Sequence, residues 1–228
     1  MIDSRPLSTA FKLLTAITAL LGIILQFASS ADWTGMLSYY TMQSNIIVAI
    51  FYLVLVFSER PYALTESRDY SLAKGAITMS IMLTFIVYNI VLRPQFEASA
   101  AGAAAGAIGS MSGEIVHVIT PLMVLADYLM FDLKGTYRFG DTLFWCIIPL
   151  LYPIYVAIYG ACGGRFTSMD GVSSKYPYFF MDVDSIGALR VLGWMFLIIA
   201  GFVGLSMLYV VIDRVLGRLT RKADALAR

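Results

Sequence analysis

Two residues of this sequence could together form a nucleophile and its base. Thr41 and His117, the only histidine of the chain, each lie near the start of an apolar stretch. A threonine hydroxyl becomes a useful nucleophile when a neighbouring base accepts its proton, and imidazole is the most common base. Hydroxyl and imidazole groups also bridge membrane helices simply by hydrogen bonding. Spacing alone leaves both interpretations open.

The elements that carry these residues are predicted to be membrane helices. Of the 228 residues, 59% are hydrophobic and 14% are charged, whereas a soluble domain has about 25% charged residues. A helix needs about 20 mostly apolar residues to cross a bilayer. We therefore predict an all-α fold, a polytopic bundle of six transmembrane helices in a single domain over residues 1–228. The six stretches are 11–28, 39–57, 75–92, 114–131, 143–160 and 187–212.

Composition excludes several classes of function. The net charge is +1, so the chain has no general basic surface for nucleic acid. One histidine and two cysteines are too few for a structural zinc or iron–sulfur site, and we expect no metal and no other cofactor. Helical geometry separates Cys146 from Cys162 by roughly 24 Å, too far for a disulfide, so we expect two free thiols.

The distribution of lysine and arginine predicts which side each connection occupies. The N-terminus, residues 58–74, residues 132–142 and the tail after 212 contain twelve of the sixteen basic residues. Because short cytoplasmic connections retain basic residues, we expect both termini in the cytoplasm. Residues 98–110 and 161–186 then lie outside. The former, rich in Ala and Gly, is a mobile linker or a helical flap, and the latter provides an aromatic interfacial belt or a rim beside the substrate.

With this orientation, the polar residues of the spans lie at one depth, in the outer half of the membrane. Thr41, Ser44 and Asn45 share one helical face, and Glu114 precedes His117 by one turn of the fourth helix. Because polar groups that face hydrocarbon are costly, this layer should face inward onto a shared pocket. The other spans add Gln26, Tyr88, Asn89, Tyr155 and Tyr159 at the same level.

The expected pocket contains candidate oxyanion donors and candidate lining residues. Side-chain amides can donate N–H groups to a developing oxyanion, which assigns this role to Gln26, Asn45 and Asn89. The lining residues are Ser44, Tyr155 and Tyr159.

Three more residues near the pocket have distinct predicted roles. Glu114 could orient the imidazole of His117. Arg93, at the outer end of the third span, could pair with a free carboxylate or anchor its helix at the interface. Pro121 lacks the N–H that would bond the carbonyl of residue 117, so the fourth helix should kink there.

The order of several motifs resembles the androgen-induced membrane protein family, which includes ADTRP-like proteins and a bacterial six-span branch. The motifs are Tyr40-Thr41-x-Gln43-Ser44-Asn45, His117-x-x-x-Pro121 and Tyr176-Pro177-Tyr178-Phe179. Eukaryotic members are intramembrane threonine hydrolases that cleave fatty acid esters of hydroxy fatty acids. The resemblance implies that Thr41 and His117 are catalytic, that a lipid or acyl ester comes from the membrane, and that the protein lies in the bacterial cytoplasmic membrane.

Two functions from different classes follow. In the first, an intramembrane hydrolase, Thr41 attacks a lipid ester while His117 accepts its proton, and water then hydrolyses the acyl-threonine. The alternative is a small-solute transporter or ligand-binding membrane protein, in which an unmatched Asp127 carries a proton. The lack of an evident inverted repeat and the confinement of the polar layer to one half of the membrane favour the hydrolase.

Overall fold

The fold is a bundle of helices that are long and apolar enough to cross a membrane. The structure, a computed structural model, describes residues 2, 4–30, 32–58, 67–99, 106–167 and 172–226. Within these ranges the prediction of six membrane-spanning helices is confirmed. We call them spans one to six: Arg5–Ser29, Tyr40–Phe57, Arg68–Glu97, Gly106–Phe131, Asp141–Ala161 and Ala188–Lys222. The helix of span six continues to Leu226.

Several helices are longer than the apolar stretches that predicted them. Span three extends over Arg68–Glu97 instead of 75–92, and span four begins at Gly106 instead of 114. Apolar composition marks the residues suited to hydrocarbon, whereas a helix ends only where a cap or a break stops it. The apolar pattern therefore located each helix but underestimated its length.

The Ala/Gly-rich connection is partly helical. Residues 106–110 form the beginning of span four, so they are neither a linker nor a separate flap. Residues 100–105 of the same connection lie outside the described residues.

Short elements join the spans. The connection between spans five and six contains an antiparallel pair of two-residue strands, in which Phe166 is opposite Ser174. Cys146 and Cys162 are both free, as expected. The short elements are the helices Trp33–Leu37 and Val183–Ile186, the strands Phe166–Thr167 and Ser173–Ser174, and the 3-10 turn Phe179–Met181.

Span three is central and span six is peripheral. In the most apolar part of each helix, 56% of the residues of span three are buried inside the protein, against 22% in span six. A helix with most of its surface covered by protein can present side chains to several neighbours. Span three therefore contributes both to the polar layer near Thr41 and to a second buried polar cluster at the opposite end of the bundle.

That second cluster consists of charged side chains. The carboxylate of Asp127, fully buried in span four, binds the ammonium groups of Lys12 in span one, at 2.8 Å, and of Lys74 in span three. The Tyr52 hydroxyl donates to the same carboxylate at 3.1 Å. Lys74 also lies 3.5 Å from a carboxylate oxygen of Asp132. Two lysines and two carboxylates thus compensate one another between spans one, three and four.

This arrangement corrects two sequence interpretations. Asp127 is not unmatched, because two lysines bind it. Lys12 and Lys74, counted above as basic residues of the N-terminus and of the 58–74 connection, are helical and buried. The average hydropathy of a whole span hides a single ionisable residue within it. Asp127 and its two lysines also lie far apart in the chain, so their pairing is not visible in the sequence.

We expect Asp127→Asn to destabilise the protein strongly. The substitution keeps the shape of the side chain but leaves the buried ammonium group of Lys12 without its counter-ion and that of Lys74 with Asp132 alone among the described residues. Breaking a buried ion pair typically costs about 3–5 kcal/mol. The measurement is the free energy of unfolding in detergent, followed by tryptophan fluorescence.

The matched control is Asp184→Asn. Its carboxylate is 64% exposed and lies 3.5 Å from Lys175, so its loss should have little effect. Equal stability of both variants would show that the buried cluster does not contribute as described.

Candidate functional site

Thr41 and His117 contact each other directly. The Thr41 hydroxyl oxygen Oγ1 lies 3.2 Å from Nε2 of the His117 imidazole. Thr41 is in the first turn of span two, and His117 is about three turns inside span four. Both side chains are half-buried. The expected meeting of these two residues at one depth is confirmed.

The other ring nitrogen determines which way the proton of this contact points. His117 Nδ1 lies 2.9 Å from the backbone carbonyl oxygen of Gly113. A carbonyl oxygen can only accept a hydrogen bond, so Nδ1 carries the proton. In the neutral ring, Nε2 then has the lone pair and accepts the hydroxyl proton of Thr41. This is the tautomer that a general base for Thr41 requires.

The helix around His117 is irregular in a way that supports the ring. Residues Ile115–Ile119 form a π-helical turn, and Tyr88–Leu92 form another in span three. The rings of Tyr88 and His117 stack with their centroids 3.7 Å apart and an interplanar angle of 14°. Such turns frequently mark functional sites. The kink at Pro121 stays a prediction, and the irregularity that the structure shows is a π turn that ends two residues before the proline.

A brace of hydrogen bonds fixes the backbone of Thr41. The Asn45 amide donates to the carbonyl of Thr41 at 2.8 Å and to the carbonyl of Val116 at 3.1 Å, which ties span two to span four. Ser44 donates to the Thr41 carbonyl at 3.0 Å and bonds Thr84 of span three at 3.0 Å. Both amide hydrogens of Asn45 are used in this way, so the residue is a brace and not the expected oxyanion donor.

A second polar group surrounds Arg93. Its guanidinium binds the carboxylate of Glu114, lies 3.3 Å from a carboxylate oxygen of Glu97 and donates to the Asn89 side-chain oxygen at 2.9 Å. Glu114 therefore neutralises Arg93, and the Gly113 carbonyl orients the imidazole in its place. The Asn89 amide donates to the Phe85 carbonyl at 2.8 Å, so it is also not directed at Thr41.

The remaining predicted residues lie away from Thr41. Gln26 is half-buried in the last turns of span one and does not line the cavity beside Thr41. The Tyr155 hydroxyl bonds the Ser38 hydroxyl at 2.8 Å, and Tyr159 bonds the Arg165 carbonyl at 3.4 Å. These two tyrosines stack on each other and belong to the packing of the connections, not to the cavity.

A cavity of about 110 Å³ opens beside Thr41. Its wall contains Thr41 and Thr84, the side chains of four tyrosines, and apolar side chains of spans three, five and six; the tyrosines are Tyr40, Tyr88, Tyr152 and Tyr178. His117 lies behind Thr41 and Tyr88 and is not itself part of the wall. A molecule in the cavity would therefore meet the hydroxyl first, with the base on its far side.

Tyr178 is the site residue that the sequence reasoning did not assign. Its hydroxyl interacts with the Thr41 hydroxyl, with Tyr152 and with the backbone of Tyr40 and Thr41. Burial raises the pKa of Tyr178 to about 12, and the polar contacts with Thr41 and Tyr152 oppose that rise. The group is therefore a protonated donor at neutral pH. The motif Tyr176-Pro177-Tyr178-Phe179 was the available signal in the sequence, but it did not indicate which span these aromatic side chains pack against.

No protein-family model, no curated protein and no solved structure matches this chain. In the described part of the chain, no three His, Cys, Asp or Glu side chains are grouped as ligands of a metal ion would be. The functional argument consequently depends on the geometry around Thr41.

Span one also contributes to the site, through Gly22. A Cβ atom at this position would lie 2.7 Å from methyl carbons of both Ile115 and Val116, the residues that begin the π turn. Real Cβ contacts are not this close, and β-branched side chains have few alternative rotamers. Glycine therefore allows span one to support the segment that carries His117.

We expect Gly22→Ala to destabilise the protein by about 1–3 kcal/mol, because overpacking forces side chains or backbone to move. Gly201→Ala in span six is the control, since its added Cβ would have no neighbour within 4 Å. Thermal unfolding in detergent compares the two. If Gly201→Ala unfolds at as low a temperature as Gly22→Ala, the loss of stability comes from the alanine itself and not from overpacking.

Proposed function

We propose that the chain is an intramembrane hydrolase of lipid esters, with Thr41 as nucleophile and His117 as general base. The observation that supports this best is the 3.2 Å contact between Thr41 Oγ1 and His117 Nε2, with Nδ1 bound to the Gly113 carbonyl. A hydroxyl whose proton points at an imidazole lone pair, beside an open cavity, is arranged for nucleophilic attack.

The reaction has two stages. Thr41 Oγ1 bonds to the ester carbonyl carbon while its proton passes to Nε2, and the protonated imidazole then gives that proton to the leaving alkoxide. The products of this stage are an alcohol and an acyl-threonine. Water, deprotonated by His117, attacks the acyl-threonine and releases a fatty acid and free Thr41. The stacked Tyr88 ring holds the imidazole in place through both stages.

The oxyanion of each stage needs donors that the predicted amides do not provide. The Tyr178 hydroxyl lies at the start of span two beside Thr41, where the first N–H groups of the helix lack partners within the helix. The positive end of the helix dipole lies at the same place and favours negative charge there. We assign the Tyr178 hydroxyl as the oxyanion donor on this basis.

The likeness to the androgen-induced membrane protein family supports the same chemistry. It suggests fatty acid esters of hydroxy fatty acids as the substrate class and the bacterial cytoplasmic membrane as the location. Without the buried Lys12 and Lys74, ten basic residues lie on the predicted cytoplasmic side and four on the predicted outer side. This excess still favours cytoplasmic termini and a Thr41 site in the outer half of the membrane. Arg93 is a weaker candidate for binding a substrate carboxylate, because Glu114 already occupies its guanidinium.

The transport alternative depended on an unmatched Asp127. Since Lys12 and Lys74 bind that carboxylate, Asp127 could carry a proton in a transport cycle only if these two ion pairs were broken. Solute uptake by proteoliposomes, without any ester hydrolysis by the same preparation, would nevertheless favour transport.

Thr41→Ala and His117→Ala should each abolish hydrolysis of a lipid ester by the purified protein. Loss of a positioned general base typically costs about 10²–10⁴-fold in rate, and loss of the nucleophile removes the acyl-threonine stage. Thr41→Ser, which keeps the hydroxyl, should retain part of the activity.

Thr15→Ala is the matched control for these variants. Thr15 is a fully buried threonine whose hydroxyl, within the described residues, bonds the Phe11 carbonyl of its own helix alone, at 2.9 Å, so activity should be unchanged. Wild-type rates in both Thr41→Ala and His117→Ala would end the hydrolase proposal.

Tyr178→Phe should lower kcat by about 10²–10³-fold with little change in KM, because an oxyanion donor acts mainly in the transition state. Tyr176→Phe, two residues away in the same motif, is the control and should keep its kcat. A rise in KM at constant kcat would instead assign Tyr178 to substrate binding.

A further inference from the structure

The cavity beside Thr41 continues as an apolar passage. Beyond the hydroxyl groups, its walls come from Leu83 of span three, Leu150 and Pro153 of span five, and Ile198 and Ile199 of span six. These side chains cannot hydrogen-bond a solute, but they can pack along a hydrocarbon chain. Apolar side chains therefore make up most of the cavity wall.

The passage begins near the level of Thr41. The Tyr40 N–H donates to the Tyr152 hydroxyl of span five at 3.1 Å, and Leu150 is two residues away in the same helix as Tyr152. Leu150 therefore lies within about two helical turns of the Thr41 end of span two.

The end of the cavity near Thr41 is covered by the connection before span six. Tyr178, Phe180 and Met181 line this part of the cavity, and Phe180 and Met181 are only 4% and 7% exposed. The Tyr178 ring also stacks on that of Phe180, with centroids 5.1 Å apart. A substrate that arrived from water would have to displace this buried aromatic cover.

The side between spans five and six is less closed. Span six packs against the 3-10 turn Phe179–Met181, the Val183–Ile186 helix and the Asp141–Trp145 segment, rather than along Ile147–Ala161 of span five. Leu150 lines the cavity and is nevertheless 50% exposed. At its depth in a membrane-spanning helix, an exposed side chain faces lipid.

We propose that this passage is an acyl-chain site which opens to the lipid between spans five and six. The acyl chain enters sideways from the bilayer and packs against these apolar side chains, with its carbonyl at Thr41. The use of this site in hydrolysis rests on the proposed function, whereas its capacity to bind an acyl chain does not.

The first test compares p-nitrophenyl acetate with p-nitrophenyl decanoate, which differ only in acyl length, on wild type, Ile198→Trp and Leu197→Trp. The Ile198→Trp indole should fill the passage, lower kcat/KM for the decanoate by about 10-fold or more and leave the acetate within about twofold. The decanoate loss corresponds to about two methylene groups that lose their buried site. Leu197, 60% exposed on the same helix, does not line the cavity, so Leu197→Trp should behave as wild type.

Leu150→Trp, on the opposite wall, provides a second variant and should show the same selective loss. An equal loss for both esters, or no loss for the decanoate in either Ile198→Trp or Leu150→Trp, would overturn the acyl-chain site.

The second test does not require catalysis. A long-chain fatty acid with a diazirine near its methyl end is photolysed with wild type and with Thr41→Ala in lipid vesicles, and the labelled peptides are identified. We expect labels in 149–153 and 195–199 in both proteins, reduced in Ile198→Trp. If these labels appear although no ester is hydrolysed, the acyl-chain site stands and the hydrolase proposal fails. Labels spread evenly over the lipid-facing spans, without this enrichment, would refute the site.

Discussion

Hydrocarbon offers no hydrogen-bond partner, and the arrangement of polar residues in this bundle follows from that constraint. A polar group within a span is tolerable only if another part of the chain satisfies it. Asp127 is placed between Lys12 and Lys74. The Asn45 amide is divided between two backbone carbonyls on different helices. The ion pairs of Asp127 and the bond from Asn45 to Val116 join spans that lie far apart in the sequence. The same groups that are costly in lipid therefore also specify which helices become neighbours.

The candidate site follows the same rule. An imidazole with two unsatisfied nitrogens would be expensive in this environment, and His117 satisfies one of them with the Gly113 carbonyl of its own helix. That bond fixes the tautomer and leaves Nε2 directed at Thr41. The π turn, the stacked Tyr88 ring and the absence of a side chain at Gly22 all act on the position of this one ring. The contacts that satisfy the hydrogen-bonding groups of His117 are therefore the same contacts that direct its Nε2 at the Thr41 hydroxyl.

The apolar stretches located all six spans because a bilayer imposes a minimum length on each helix. Comparison of depths also placed Thr41 opposite His117, since both follow the start of an inward-running helix in the predicted orientation. Depth does not determine how each helix is rotated about its axis, because many rotations leave a residue at the same depth. For this reason the sequence could not show that Glu114 turns to Arg93 or that Asn45 binds backbone. Tyr178 lies in a connection, where neither a helical period nor a depth in the membrane predicts the position of a side chain.

The ion cluster has a consequence for how the protein is made. Lys12 and Asp127 are 115 residues apart in the chain, and Lys74 of span three is also synthesised before the carboxylate that neutralises it. At about 5–20 residues per second, roughly 6–23 s separate the synthesis of Lys12 from that of Asp127. During that interval span one has an ammonium group without its final counter-ion. The nascent helix must therefore remain near the interface or the insertion machinery, and its full burial has to await the arrival of span four.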